Sequence, residues 1–147
     1  MIKIEFFDFS ALLQALEGVT FGFDPEKNLG SEDDRRKITE CNREYDSWQK
    51  FEIRMAELPL GNHYHERKTE TFYFMNGEGT IYLAMAKEGA VVGEITKVQV
   101  QPGMAITIPT NVAHRFNMNK GAKFICHSSA PFNPQDMDMI KCVIEIE

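Results

Sequence analysis

Three of the four histidines in this chain, His63, His65 and His114, together with Glu70, are residue types that bind a transition metal. His63 and His65 are two residues apart, so on a β-strand both imidazoles leave the same face. Glu70 follows after four polar residues and opens a run rich in β-formers. Three imidazoles and a carboxylate form a borderline-soft donor set suited to one divalent ion of Mn, Fe, Co, Ni, Cu or Zn. A histidine pair at this spacing is weak evidence alone, because exposed or hydrogen-bonded histidines are common. The carboxylate at regular spacing and the β-rich surroundings strengthen it.

The elements that must position these groups read as strands. Residues 2 to 7 alternate as a short strand. Ser10 offers a cap, Leu12 and Leu16 share a helical face, and Gly18 offers a stop, so a short N-terminal helix is expected there. Residues 22 to 37, with Gly22, Pro25, Gly30 and alternating charges, read as a solvated loop, or as a flap over a site. Trp48 to Leu58 alternates as a half-buried strand, with Phe51, Ile53 and Met55 on one face. After Glu70, Phe72 and Phe74 keep its parity, while Thr71, Tyr73 and Met75 face the other way. Asn76-Gly77 predicts a type I′ hairpin into the strand Thr80–Met85. Strands follow at Glu94 to Gln101, Met104 to Ile108, Ala113 to Asn117 and Lys123 to Ser128. The apolar tail Met139 to Ile146 reads as a last strand. Many short strands with Gly, Pro and Asn turns indicate an all-β sandwich or barrel.

The region from about Glu57 to Phe132 resembles the cupin superfamily. Its first motif, G-x5-H-x-H-x3,4-E-x6-G, is matched by His63, His65, Glu70 and Gly77, and its second, G-x5-P-x-G-x2-H-x3-N, by Gly103, Pro109 and His114. Glu57 stands where the first motif opens on Gly, Asn111 replaces the middle Gly of the second, and Met118 replaces its last Asn. The resemblance implies an all-β cupin-type jelly-roll (double-stranded β-helix) barrel, with the metal held by His63, His65, Glu70 and His114. It implies a homodimer. The expected organisation is one domain over residues 1–147. An N-terminal strand, helix and loop occupy 1–47, ahead of a barrel over 48–147.

Four protein ligands on an octahedral ion leave two adjacent positions for chemistry, whereas tetrahedral closure would give a structural site. The leading expectation is a sugar or sugar-phosphate isomerase or epimerase, with Glu70 as ligand and also as base. Tyr73 and Lys68 are further candidates for moving the proton. A metal-dependent dioxygenase uses the same ligands, and Phe72, Phe74 and Phe116 would keep its pocket dry, although they read first as barrel core. A cupin that binds a small ligand without turnover is the third option. His127 reads as a surface or hydrogen-bonded group.

Composition narrows the partners. The chain has 147 residues, 43% hydrophobic and 26% charged, as expected of one globular domain. Its net charge of -6 disfavours nucleic acid and anionic membrane and leaves a small metabolite as the partner. The N-terminus lacks the apolar core of a signal peptide, so a cytoplasmic location is expected. Cys41, Cys126 and Cys142 form no CxxC pair and read as buried free thiols.

Overall fold

The computed structural model describes residues 2–6, 31–56 and 59–147. Among these residues thirteen strands are formed: β1 (Lys3–Phe6), β2 (Ser31–Glu32), β3 (Arg36–Asn42), β4 (Ser47–Ile53), β5 (Leu60–Tyr64), β6 (Glu70–Asn76), β7 (Gly79–Lys87), β8 (Ala90–Val91), β9 (Thr96–Val100), β10 (Met104–Ile108), β11 (Val112–Met118), β12 (Lys123–Ser128) and β13 (Ile140–Lys141). They make two sheets, β1-β10-β6-β12-β4-β3-β2 and β13-β5-β11-β7-β8, with β9 also paired to β7. All the pairings are antiparallel. This is the cupin-type jelly roll. No helix occurs among the described residues, and the helix expected at Ser10 to Gly18 lies outside them.

The period of two decides what faces inward. On β6, Glu70, Phe72 and Phe74 are buried and the residues between them are half-buried. On β11, His114 lies between Val112 and Phe116 in the same inward row. The inner faces meet in one core that includes Ile81, Val100 and Ile106, each fully buried. Phe51 and Phe124 stack at 4.7 Å, and Phe72 meets Phe116 edge-on at 4.7 Å. Each such apolar side chain contributes roughly 1.5–3 kcal/mol on burial. A smaller cluster lies on the outside of the smaller sheet, where Cys142 and Ile144 cover Tyr64, Ala86 and Ala113.

Four local expectations need correcting. Asn76-Gly77 is no hairpin: β6 pairs with β10 and β12, and β7 belongs to the other sheet. Both edges of β6 are occupied, so the chain crosses between sheets there. Gly77 alone in that pair has positive φ, +81°, and a Cβ on it would stand 2.6 Å from Ala122. The two-residue turn with both central φ values positive is Glu88-Gly89, which joins β7 to β8. Of the stretch 22–37, residues 22–30 lie outside the description. The rest forms the β2–β3 hairpin, its turn held by the Asp33 carboxylate accepting from the backbone N–H groups of Arg35 and Arg36. The tail pairs as a strand only at Ile140–Lys141. Beyond it, Cys142 N and Ile144 N donate to the Asn62 carbonyl and side chain instead of continuing the ladder. Cys126 and Cys142 are buried free thiols as expected, but Cys41 is exposed because it lies on the outward parity of β3.

Candidate metal centre

β5 and β11 run antiparallel with His63 directly opposite His114. One residue later the register shifts, so that Arg115 faces Gly61 and Asn62 is the extra residue of a β-bulge. Gly61 and Asn62 both have positive φ, +85° and +58°. A Cβ on Gly61 would lie 2.4 Å from the carbonyl oxygen of His114, so only glycine permits this approach. The bulge aims His63 and His65 inward together. Asn111, in place of the motif glycine, adopts φ +61°, a conformation asparagine tolerates better than most residues. Its N–H donates to the His65 carbonyl at 2.7 Å, tying the two motif segments to each other.

The side chains converge. His65 Nε2 is 3.1 Å from Glu70 Oε2, His114 Nε2 is 3.5 Å from the same oxygen, and His114 Nε2 is 3.1 Å from His63 Nε2. One donor atom from each of the four residues lies within 4.8 Å of all the others. His65, Glu70 and His114 are buried and His63 is half-buried. His65 Nδ1 bonds the Asp138 carbonyl oxygen, and His114 Nδ1 bonds that of Val112 at 3.2 Å. Each of these bonds calls for the N–H on Nδ1, which in the neutral ring turns the Nε2 lone pair toward the cluster. His65 Nε2 and Glu70 Oε2 are buried without a hydrogen-bond partner. Two facing lone pairs repel unless a cation lies between them. The donor set and its orienting bonds therefore fit a divalent metal ion.

Electrostatics agree with ligand chemistry. Burial, then the neighbouring His114 and His65, bring the His63 imidazole down to about 3. Burial also lowers His114. Burial alone would raise the Glu70 carboxyl, but contact with His65 and the neighbouring His114 and Lys68 outweigh it and hold the group below the usual carboxylate range. Neutral imidazoles beside an ionised carboxylate are the forms that coordinate. The other Glu70 oxygen, Oε1, accepts from Ser128 Oγ at 3.3 Å and lies 3.5 Å from Lys68 Nζ.

The cluster lines an open cavity of about 760 Å³, with Phe72 and Phe116 beside it and Arg36, Glu40 and Gln49 contributed by β3 and β4. Asp138 closes the loop after His65 by accepting from the N–H groups of Glu66, Arg67 and Lys68, each at 2.9 Å. Of the other sequence candidates, Lys68 reaches the site through Glu70. Tyr73 does not: it has the outward parity of β6 and stacks on Trp48 at 6.4 Å. His127 also faces outward, tilted over Trp48 and 3.0 Å from Asp46. Phe74 is fully buried core, whereas Phe72 and Phe116 serve both core and cavity. Sequence reading missed Arg36, Glu40, Ser128 and Asp138. The alternation Arg36-x-Ile38-x-Glu40 was a legible signal, masked by the charges before it.

The fold and site place the chain among known proteins. The CapF capsular polysaccharide assembling protein of Staphylococcus aureus superposes with a TM-score of 0.64 at 24% identity, over 80% of this chain and 34% of that one. The chain thus spans about a third of the length of CapF. Pac13, a nucleoside dehydratase of Streptomyces, superposes with a TM-score of 0.59 at 15% identity, over 86% of this chain and 95% of its own. The coconut allergen cocosin gives 0.58 at 16% identity, over 74% and 30%. Among curated protein sequences none matches. A family model described as the polysaccharide biosynthesis C-terminal domain matches residues 31–140. That match runs from β2 to the first residue of β13 and takes in all four converging side chains, so the chain belongs to the polysaccharide biosynthesis C-terminal domain family.

Proposed function

We propose that the protein is a metal-dependent isomerase or epimerase acting on a nucleotide-linked keto sugar in polysaccharide assembly. The observation that carries this reading is the convergence of three imidazoles and a carboxylate, two of their atoms buried and unpartnered, on an open cavity of about 760 Å³. That volume lies in the range of small-molecule sites. The family description supports a sugar substrate, and the nucleoside dehydratase neighbour supports a nucleotide handle.

In this reading His63, His65, Glu70 and His114 hold one divalent ion. That ion would supply a Lewis acid for a substrate carbonyl, which acidifies the adjacent C–H. The Asp138 and Val112 carbonyls fix two of the imidazole rings. Lys68 and Ser128 hold the Glu70 carboxylate in place. Phe72 and Phe116 exclude water from one side of the sugar.

The test is elemental analysis of protein purified without chelator, followed by incubation with a nucleotide-linked keto sugar in D2O, read by NMR. Near-stoichiometric metal and deuterium entry beside the carbonyl are expected, and both are lost in the His63→Ala, His65→Ala double variant. Full metal occupancy in that variant would sink the ligand assignment. Dioxygen uptake with Fe(II) would replace the isomerase by an oxygenase, and binding without exchange would leave a holding module.

A further inference from the structure

One buried carboxylate faces the cavity without belonging to the metal cluster. Glu40 is only 6% exposed, yet it lines the same cavity as the four converging residues. It lies on the inward parity of β3, opposite Gln49 of β4. Its Oε1 accepts from Ser47 Oγ at 3.1 Å. Ser47 is in register with Ser128 on β12, and Ser128 with Glu70 on β6. A row of polar residues therefore crosses this wall of the cavity, with a carboxylate at either end.

The two carboxylates are equipped differently. Glu70 turns Oε2 toward the imidazoles and holds Oε1 with Ser128 and Lys68. Among the described residues no ion pair is made by Glu40. Burying a carboxylate without a cation is costly, and hydroxyl and amide partners offset only part of that cost. Burial pushes the Glu40 carboxyl up, against the hydrogen bonds from Gln49 and Ser47 and the charge of Lys68. A purely structural position would be served as well by glutamine, which keeps the polar contacts without the charge.

We propose that Glu40 is the catalytic base that takes the proton from the substrate carbon next to the carbonyl, and the acid that returns one. The inference rests on the reading in the preceding section. The C–H bond breaks, its electron pair enters the enolate of the sugar, and the proton passes to a Glu40 carboxylate oxygen. Return of a proton from Glu40 to the same carbon re-forms the C–H bond and regenerates the carboxylate; where that carbon carries a hydroxyl, passage of the hydroxyl proton to the former carbonyl oxygen and delivery of the Glu40 proton to the former carbonyl carbon gives the isomer instead. Nothing is oxidised or reduced overall. The substrate class follows: a sugar whose carbonyl and acidic C–H are adjacent, with the carbonyl toward the imidazoles and the C–H toward β3.

The experiment uses metal-loaded wild-type protein, E40Q and E40D, with a nucleoside-diphosphate-linked 4-keto hexose in D2O as the probe. Metal content, probe binding by calorimetry and deuterium entry by NMR are measured on each. E40Q is expected to keep its metal and bind the probe as wild type does, while deuterium entry falls by about a hundredfold or more. E40D, which retracts the carboxylate by one methylene, is expected to lose about tenfold or more. Wild-type exchange rates in E40Q, or in E40D should E40Q fail to fold, overturn the role of Glu40 and leave Glu70 as the base. Absence of exchange in the wild-type protein, with metal bound, overturns the isomerase reading and this inference with it.

Discussion

The two walls of the cavity position their polar groups by different means. On the smaller sheet, the three imidazoles depend on irregular backbone: the Gly61-Asn62 bulge, the left-handed turn at Asn111 and the loop gripped by Asp138. On the larger sheet, Glu40, Ser47, Ser128 and Glu70 lie on ordinary ladders and face inward by parity alone. The first wall fixes atoms to a common point at a cost in backbone strain. The second is robust, and its chemistry can be altered one side chain at a time. The three imidazoles of the ligand cluster use the first kind of positioning, whereas its carboxylate and the proposed proton-transfer group are placed by strand parity.

The contrast can be broken most sharply at Gly61. Gly61→Ala forces a Cβ against the His114 carbonyl at a position of positive φ. We expect a loss of about 3 kcal/mol in denaturant unfolding, with metal affinity reduced in the same variant. Unchanged metal binding would show that the bulge does not set the ligand geometry.

Asp138→Asn tests the loop grip. Removing a charged acceptor of three backbone N–H groups is expected to cost about 1–2 kcal/mol. Burial would raise the Asp138 carboxyl, but those three bonds prevail and hold it below its usual value of 3.8. The contribution is therefore fully present above about pH 4 and is lost as pH falls through the lower folded-state value. The stability gap between wild type and variant should close below that pH. A gap that persists at pH 2 would assign the effect to packing instead.

The mildest comparison uses two adjacent residues on opposite faces of β12. Ser128→Ala removes the hydroxyl that holds Glu70 and should weaken metal binding by about tenfold. His127→Ala removes the outward contacts with Asp46 and Trp48 and should leave metal binding unchanged, with a stability change under about 1 kcal/mol. Equal effects of the two on metal titration would contradict the parity of this strand.

The parity of single strands was readable from the residues. The spacing of His63 and His65, the inward row of Glu70, Phe72 and Phe74, and the bounds of β12 all follow from a period of two. The Asn76-Gly77 turn was misread because a local turn signal does not say whether the flanking strand still has a free edge. Glu40 was overlooked because its strand follows a charged hairpin that looked like loop. Asp138 was overlooked because it acts on backbone groups some seventy residues away.

By itself the sequence determined which donor atoms are available and which of them share a face, because both depend only on residue type and the two-residue repeat of a strand. Which strands meet was decided by the tertiary structure alone. His114 reaches His63, 51 residues earlier, through a β5–β11 pairing and a one-residue bulge. Glu40 reaches the same cavity because β3 joins the larger sheet beyond β4. Such contacts arise from how the sheets close on each other, and no local period encodes that closure.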